Sequence, residues 1–588
     1  MPQHPYLDPT LSAEERTEDL LGRMTLAEKA GLMFQPAINI PGRLLSAEQA
    51  LSDAKEKIER KFISHIHVMD GDDAGEIAQW LNRLQALAAD TRLGIPISFS
   101  TDPRNGFHSS PFTGKTADAV SRWPEHTGLG AIGDVQLVRE YADIIRQEML
   151  AMGMRVYLGP MADIFSEPRW SRGFGTFGED PEVVADLVAA FIEGLRGGPE
   201  LNSASVSAVV KHFPGGGPQQ RGMDAHDKRF REQVYPGHQQ DLHLRPFQAA
   251  FAAGVTQVMP YYGMPVDTDW EERGFAFNEP VIKQLLRERF AFDGIVCTDW
   301  YLLEATTVEG LTFGPNGYGL EDLTPTERLR IALEVGVDQF GGDSCPERVV
   351  ELVSDGQVPE ERVNVSVRRI LLEKFRLGLF EHRYVDVESA RLVGTDPHHR
   401  ALGEYAQGAS LTLLKGTDLL PLSAGMSIYS EGIDWDGLHV PVKRVDSPKD
   451  ADVNIVRLSA PFDTDPDSAL GDWFHAGSLS CPEEVVDHIR DLSQRSPTIV
   501  VVFLERPPVL TALEPYSAAL IGEYGASDQV ILDALLGRTP FVGALPFDLP
   551  RSMTAVEASR EDVPFDSADP LYTHGHGLRL ASSAGFLD

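Results

Sequence analysis

A chain of 588 residues is too long for a single hydrophobic core, so the sequence predicts two large domains or three smaller ones. An apolar content of 42% and a charged content of 24% are typical of a soluble globular enzyme. Its 88 acidic residues outnumber 52 lysines and arginines, and the resulting net charge of -36 disfavours nucleic acids, anionic membranes and polyanionic substrates as partners.

The first 345 residues alternate short apolar runs with amphipathic segments. Eight apolar runs are predicted as strands, at residues 31–36, 63–70, 95–102, 154–163, 206–213, 255–262, 294–300 and 337–342. Helices are predicted between them at residues 72–89, 135–152, 181–195, 244–253 and 279–290. This alternation predicts an α/β fold of the TIM-like (β/α)8 barrel type, in which catalytic groups lie at the carboxyl ends of the strands.

A helix predicted at residues 364–377 ends the barrel region, and a second alternating region starts near residue 401. Its strands are predicted at residues 411–415, 427–429, 453–459, 498–504, 518–521 and 544–546, with helices at 482–494 and 527–536. This pattern favours an open sheet covered on both faces. The sequence therefore predicts a barrel domain at residues 1–380, a linker at 381–400 and an α/β sandwich domain at 401–588.

Several kinds of site are disfavoured by the sequence. The three cysteines, Cys297, Cys345 and Cys481, form no disulfide framework and have no metal-ligand spacing. No Gly-x-Gly-x-x-Gly opens a helix and no Walker-type loop occurs, so we expect no nucleotide cofactor. Residues 1–5 show no signal-peptide pattern, and no segment reaches the roughly 18 apolar residues of a membrane helix. We expect a cytoplasmic protein without cofactor or metal, and its oligomeric state, a homo-oligomer included, stays open.

Polar side chains follow the apolar runs at the ends of several predicted strands. The most informative segment is FDGIVCTDW, residues 292–300, in which Asp299 and Trp300 end an apolar run. A carboxylate at the mouth of a buried strand costs free energy unless a strong partner or a chemical role keeps it there. Other strand ends and their loops supply Asp102, Arg172, Lys211, His212 and Tyr262.

These side chains have a structural and a functional interpretation. Singly, they are consistent with an acid paired to an arginine, a lysine that binds carbonyls and a histidine in the core. Together, carboxylates, a lysine, an arginine, a histidine and aromatic rings are the groups that bind a neutral sugar, through paired hydrogen bonds and ring-face contact. The predicted partner is a small carbohydrate or glycoside. An aldolase that forms a Schiff base on Lys211 is a remoter alternative.

Several motifs resemble those of glycoside hydrolase family 3, the family of bacterial and plant β-glucosidases. They are LLGRMTLAEK (20–29), EPRWSR (167–172), GEDP (178–181), KHFPG (211–215), VM (258–259), FDGIVCTDW (292–300), ALPF (544–547) and GHGL (575–578). The first six span most of the first predicted domain, in the family's order. The resemblance implies a barrel followed by an α/β sandwich that completes the active site.

The resemblance also implies roles for single residues. Asp299 stands at the position of the family's catalytic nucleophile. The positions that bind the non-reducing sugar are Asp102, Arg172, Lys211, His212 and Tyr262, and Trp300 supplies a ring face. The implied activity is that of an exo-acting retaining β-glycosidase, a β-glucosidase in the first place. The alternatives are a β-N-acetylglucosaminidase with an Asp-His dyad and a catalytically inactive sugar-binding homologue.

The acid/base residue is where the chain departs from the family pattern. Retaining hydrolysis needs a second proton-carrying group about 5–5.5 Å from the nucleophile, and family β-glucosidases supply a glutamate from a second-domain loop. The corresponding loop, residues 460–467, contains aspartates and no glutamate. Asp463 is our first candidate, and Glu431 at a neighbouring strand end is another. His226 is the alternative, because DAH at residues 224–226 resembles the Asp-x-His dyad of the family's N-acetylglucosaminidases.

Overall fold

The computed structural model describes residues 4–42, 44–108, 119–308, 311–465, 470–471 and 473–582. Two main sheets organise the chain, one of barrel strands and one of six strands further along, and each packs its own hydrophobic core. No helix of the described ranges is long and apolar enough to cross a membrane.

Eight short strands form the barrel, and each overlaps the apolar run predicted for it. They are Phe34–Gln35 with its continuation Ala37–Ile38 (β1), His65–Val68 (β2), Ser98–Thr101 (β3), Val156–Tyr157 (β4), Ser207–Phe213 (β5), Gln257–Pro260 (β6), Ile295–Val296 (β7) and Phe340–Gly341 (β8). Most strands are shorter than their runs because residues at one or both ends of the run lie outside the ladder.

The barrel closes on itself. β1 to β7 are neighbours in chain order, and every pair is parallel. Phe34 of β1 pairs with Phe340 of β8, and a bridge between Cys297 and Gln339 joins β7 to β8. The predicted (β/α)8 barrel is therefore confirmed, and the carboxyl ends of its strands meet at one mouth.

Helices follow each barrel strand in turn. They are Ala47–Lys55, Ala74–Ala89, His126–Ile132, Val135–Met152, Pro181–Arg196, Gln240–His243, Arg245–Ala252, Pro280–Arg289, Pro325–Val335, Glu347–Ser354 and Glu360–Arg376, and Ala13–Leu21 and Leu26–Leu32 precede β1. The helix that begins at Pro181 is capped as its sequence indicates, because the Asp180 side chain accepts the N–H groups of Glu182 and Val183. Helices and strands share one continuous apolar core.

The second domain is an open sheet with helices on both faces. Its strands are Thr412–Lys415 (β9), Ser427–Glu431 (β10), Lys443–Arg444 (β11), Val453–Ser459 (β12), Thr498–Phe503 (β13) and Ala519–Glu523 (β14). Their order is β9-β14-β13-β12-β10-β11, with β9 antiparallel to β14 and the other pairs parallel. Its helices are Pro397–Ser410, Glu483–Ser493, Asp528–Leu535 and Met553–Ala558. The predicted α/β region after the barrel is confirmed.

The two faces of this sheet have different neighbours. Successive residues of a strand point to opposite faces, so Ile499 and Val501 enter one apolar cluster while Val500 and Val502 enter another. The second cluster also contains Trp170 of the barrel. One face of the second domain thus packs directly on the loop that follows β4.

Two sequence-based assignments differ from the structure. Residues 544–546, predicted as a strand, form a loop, and the Pro546 carbonyl accepts the N–H of Glu179 in the barrel. Proline has no N–H to offer a ladder, which disfavours a strand there. The segment predicted as a linker contains the helix Val387–Val393, capped by the Asp386 side chain.

Candidate active site

A cavity of about 330 Å³ opens at the carboxyl ends of the barrel strands. Its wall contains seven of the side chains singled out in the sequence: Asp102, Arg172, Lys211, His226, Tyr262, Asp299 and Trp300. Leu470 and Phe474 of the second domain complete the wall. The cavity therefore lies between the barrel and the second domain.

Asp299 follows β7 and is 7% exposed. Its Oδ1 accepts the N–H of Trp300 at 2.9 Å, while its Oδ2 is buried and accepts no hydrogen bond from the described residues. Burial raises the pKa of the neighbouring Tyr262 hydroxyl well above its ordinary value, and the Asp299 carboxylate raises it further. The Asp299 side chain belongs to the cavity wall, and a buried carboxylate oxygen without an internal partner calls for a functional explanation.

Lys211 and Asp102 form a buried ion pair in the cavity wall. Lys211 Nζ donates to Asp102 Oδ1 at 2.7 Å, and His67 Nε2 lies 3.5 Å from the other carboxylate oxygen. Burial lowers the pKa of His67 to about 4, so the imidazole is neutral at pH 7. The lysine of β5 thus reaches the residue that follows β3 at the mouth of the barrel.

His212 lies behind the cavity wall. Its Nδ1 is 2.8 Å from Asp163 Oδ2, and its Nε2 is 4.0 Å from Asp299 Oδ2. Burial, with a contribution from Arg172, holds the pKa of His212 well below its ordinary value. Burial raises the pKa of Asp163 to about 6, so this carboxylate is ionised at pH 7 and fixes the Nδ1–H tautomer of the neutral imidazole.

Arg172 brings a permanent positive charge to the site. Its guanidinium carbon lies 5.9 Å from the ring centre of Tyr261, and Nη1 is buried without a partner among the described residues. Burial alone would lower the pKa of Arg172, but Tyr261, Asp224 and Asp299 raise it above the ordinary value. Because Arg172 belongs to the cavity wall, its guanidinium is placed to donate to a sugar hydroxyl there.

His226 and Asp224 form a dyad at the same cavity. His226 Nδ1 lies 2.6 Å from Asp224 Oδ1, and Asp224 Oδ2 accepts hydrogen bonds from Trp170 Nε1 at 2.9 Å and Tyr261 Oη at 2.8 Å. Burial alone would raise the pKa of Asp224, but His226 and Arg172 hold it well below its usual range. Asp224 is thus an ionised, fully bonded acceptor that fixes the orientation of the imidazole.

The structure locates the two carboxylate candidates for the acid/base elsewhere. Asp463 is exposed, its Oδ2 accepts the N–H of Ser478 at 2.7 Å, and it lines a smaller adjoining cavity that it shares with His226. It is absent from the wall of the cavity that contains Asp299. Glu431 binds Tyr429 and His488 and lines neither cavity. The end of the predicted loop, residues 466–467, lies outside the described ranges.

The comparisons with known proteins agree with this architecture. The family model for the glycosyl hydrolase family 3 N-terminal domain matches residues 25–372. A probable β-glucosidase C of Aspergillus flavus is 41% identical over 587 residues, which cover 98% of this chain and 92% of the relative.

The chain belongs to glycoside hydrolase family 3.

Two further comparisons extend the similarity. A periplasmic β-glucosidase/β-xylosidase of Dickeya chrysanthemi is 38% identical over 597 residues, covering 98% of this chain and 91% of the relative. A crystal structure of a β-glucosidase from Listeria innocua with isofagomine has a TM-score of 0.76 at 21% identity and covers 96% of this chain and 83% of that one. The protein is a glycoside hydrolase, and its membership of family 3, which the sequence motifs predicted, is confirmed.

Sequence reasoning missed several groups that complete this family 3 site. His67, Asp163 and the second-domain residues Leu470 and Phe474 contact the site or its supports. His67 lies inside the run predicted for β2. Side chains of a strand alternate between its two faces, and the sequence does not show which face His67 takes. The second-domain residues could not be foreseen, because nothing local shows which loop reaches the barrel. In the described part of the chain, no group of three His, Cys, Asp or Glu side chains is arranged for a metal ion.

Proposed function

We propose that this family 3 hydrolase is an exo-acting retaining β-glycosidase that removes a terminal glucosyl residue from β-glucosides. The observation that carries the proposal is the Asp299 side chain in the wall of the cavity, with a carboxylate oxygen, Oδ2, that has no hydrogen bond from the described residues. Donors and acceptors of the kind that bind sugar hydroxyls surround it. The names of the Aspergillus and Dickeya relatives support glucoside as the substrate class.

An exo mode of action is part of this proposal, and the shape of the cavity is compatible with it. Met69, Leu158 and Met259 lie in its wall beside the catalytic candidates, at the ends of the barrel strands. The barrel interior below them is packed with side chains, so the cavity has a floor and a sugar chain cannot pass through. A chain end can therefore enter the cavity only as far as this floor.

The reaction proceeds in two displacements. Asp299 Oδ2 attacks the anomeric carbon, the glycosidic C–O bond breaks, and the leaving oxygen receives a proton from the acid. Water then loses a proton to the same group and attacks the glycosyl-enzyme, which releases Asp299 and a sugar with the original anomeric configuration. Lys211 donates to Asp102 at 2.7 Å and Arg172 lies in the same wall, so both cations are placed beside the sugar that reacts with Asp299.

We assign the acid/base role to His226. The imidazole lines the same cavity as Asp299, and the ionised Asp224 stabilises the imidazolium that must donate the first proton. Asp463, the first candidate from the sequence, is tied to the Ser478 N–H in the adjoining cavity. Asp463 would take the role instead only if its loop moved toward Asp299 when substrate binds.

The Asp224–His226 dyad also favours one second candidate function, a β-N-acetylglucosaminidase. A relative from Cellulomonas fimi, 25% identical over 534 residues, is named a β-N-acetylglucosaminidase/β-glucosidase.

One experiment separates these functions. We would measure sugar release from the 4-nitrophenyl β-glycosides of glucose, xylose and N-acetylglucosamine, and identify the first anomer formed by proton NMR. The proposal expects the largest kcat/KM for the glucoside and β-glucose as the first product. Initial release of α-glucose would refute retention, a preference for N-acetylglucosamine would favour the second candidate, and no turnover would leave a binding protein.

A further inference from the structure

The second-domain residues in the cavity wall, Leu470 and Phe474, belong to a segment that begins after β12. The two ends of this segment form a hairpin stem, residues 461–463 and 475–478. In the stem, the Asp463 N–H donates to the Ala476 carbonyl at 2.9 Å in an antiparallel bridge. Since Leu470 and Phe474 lie between the two halves of the stem, the placement of the stem against the barrel sets the position of both wall residues.

Arg506 joins the stem to the barrel. This fully buried residue follows β13, the strand beside β12. Its Nη2 donates to the Pro461 carbonyl, and its Nη1 donates to the carbonyls of Gly477 at 3.3 Å and of Arg169 at 3.2 Å. Burial lowers the pKa of Arg506 to about 10, so the guanidinium stays charged at pH 7. One rigid, planar group thus holds both halves of the stem and the barrel loop after β4.

Glu505, the preceding residue, holds the same stem through His475. Its Oε2 lies 2.8 Å from His475 Nδ1, and the His475 ring stacks on Phe462 with ring centres 3.8 Å apart. On the barrel side, His108 Nδ1 is 3.8 Å from Oε1 of the same carboxylate. Glu505 is buried, so its bond to His475 is shielded from water. We call Glu505 and Arg506 the clasp, because both contact the stem and the barrel from one strand end.

The segment that the clasp holds lies against the Asp224–His226 dyad. Phe474 stacks on His226 with ring centres 4.8 Å apart and planes at 29°. Asp463, the other candidate donor, is part of the stem and lines the smaller adjoining cavity with His226. The candidate glycon-binding residues of the cavity wall and the nucleophile all come from the barrel: Asp102, Arg172, Lys211, Tyr262 and Asp299. A shift of the stem would therefore disturb the proton donor more than the glycon.

We propose that Glu505 and Arg506 are positioning residues, which hold the proton donor of the reaction in place by fixing the hairpin stem on the barrel. Neither is among the described residues of the cavity wall, so both act through the stem. Catalysis is sensitive to such support, because a misplacement of about 1 Å by a distant mutation can cost roughly 100-fold in rate. The inference rests on the proposed β-glucosidase activity and adds to it the residues that align its acid/base.

The test uses the leaving group to report on proton donation. The leaving group of 2,4-dinitrophenyl β-glucoside departs as a stable anion and needs no proton, whereas that of ethyl β-glucoside needs one. Arg506→Lys keeps the charge and loses the planar fork. We expect its kcat/KM for ethyl β-glucoside to fall about tenfold more than that for the dinitrophenyl substrate. Equal losses on both substrates would overturn the proposal, because a general structural defect affects both alike.

A second variant keeps the test decisive where Arg506→Lys does not fold. His475→Phe retains the ring that stacks on Phe462 and removes the nitrogen that binds Glu505, and the His475 side chain is 21% exposed. It should show the same selective loss on ethyl β-glucoside. His488→Phe is the matched control, because His488 binds Glu431 at 2.9 Å and lines neither cavity. A ratio of the two kcat/KM values that is unchanged in His475→Phe would overturn the proposal.

Hydrogen exchange separates failure of the clasp from failure of the proposed activity. Amide exchange is followed by mass spectrometry, without substrate, in peptides that cover residues 460–465 and 473–478, with the barrel helix Pro181–Arg196 as internal reference. We expect faster exchange in the stem of both clasp variants and unchanged exchange in the reference helix. Unchanged exchange in the stem overturns the clasp. If the wild-type protein hydrolyses neither glucoside, the proposed activity fails, while exchange in the stem still reports on the clasp.

Discussion

His212 Nε2 lies 4.0 Å from Asp299 Oδ2, too far for a hydrogen bond. Because Asp163 holds the other ring nitrogen at 2.8 Å, the neutral imidazole presents an acceptor, and no donor, toward Asp299. His212 therefore shapes the site next to Asp299 without engaging the oxygen that we assign to nucleophilic attack. Asp299 itself should then be the group on which turnover depends most strongly.

Replacing Asp299 with Asn or Ala should abolish turnover. The variant lacks the carboxylate that forms the covalent intermediate, so we expect kcat to fall by roughly 10⁴-fold or more. Sugar binding should stay measurable, since Arg172 and the Lys211–Asp102 pair are unchanged. In the wild-type protein, 2-deoxy-2-fluoroglucosyl fluoride should label a peptide that contains Asp299, as mass spectrometry can detect. A label on any other carboxylate would remove the basis of the mechanism.

The choice between His226 and Asp463 as the acid/base can be made by chemical rescue. His226→Ala should slow deglycosylation of a substrate with an activated leaving group, and added azide should restore turnover as a glucosyl azide product. Asp463→Ala should keep most of its activity and respond little to azide. The reverse pattern would show that the loop of Asp463 closes over the substrate.

The ion pair between Lys211 and Asp102 should contribute to both stability and sugar binding. The two side chains are 6% and 7% exposed, and removal of one leaves the other as an uncompensated buried charge, which costs about 3–5 kcal/mol. We expect Lys211→Met and Asp102→Asn each to lower the melting temperature and kcat/KM, and the double variant to regain stability without activity. Additive losses of stability would indicate that the pair is not coupled.

Much of the barrel could be predicted from the sequence because its strands are buried on both faces. Such strands appear as continuous apolar runs, and a polar residue at the end of a run marks the mouth of the barrel. This pattern led to Asp102, Lys211 and Asp299, which the structure brings to one cavity. Their proposed roles remain to be tested by experiment.

The positions of the loops could not be predicted from sequence patterns. Whether Asp463 or His226 reaches the cavity depends on contacts between residues far apart in the chain, such as the stacking of His226 on Phe474. The assignment of residues 544–546 as a strand failed for the same reason. The apolar segment is real, but its Pro546 carbonyl bonds to the barrel, and a local pattern cannot reveal a partner more than 300 residues away.

Glu179 provides a last prediction, on the pH dependence of stability. This barrel residue is fully enclosed where the domains meet, and its carboxyl group accepts the N–H of Asp548 at 2.9 Å and of Phe565 at 2.6 Å. Burial raises its pKa from 4.5 to about 8, so the folded protein keeps a proton that the unfolded chain loses near pH 4.5. The contribution of Glu179 to stability should therefore fall as pH rises from about 4.5 to about 8, by about 1.4 kcal/mol per pH unit. Glu179→Gln cannot titrate, so its melting temperature should fall less than that of the wild type between pH 5 and pH 8.

Glu182→Gln is the control, since hydrogen bonding to Arg245 holds the pKa of Glu182 below 4.5, outside this range. Parallel curves for Glu179→Gln and the wild type would mean that Glu179 is ionised in the folded protein.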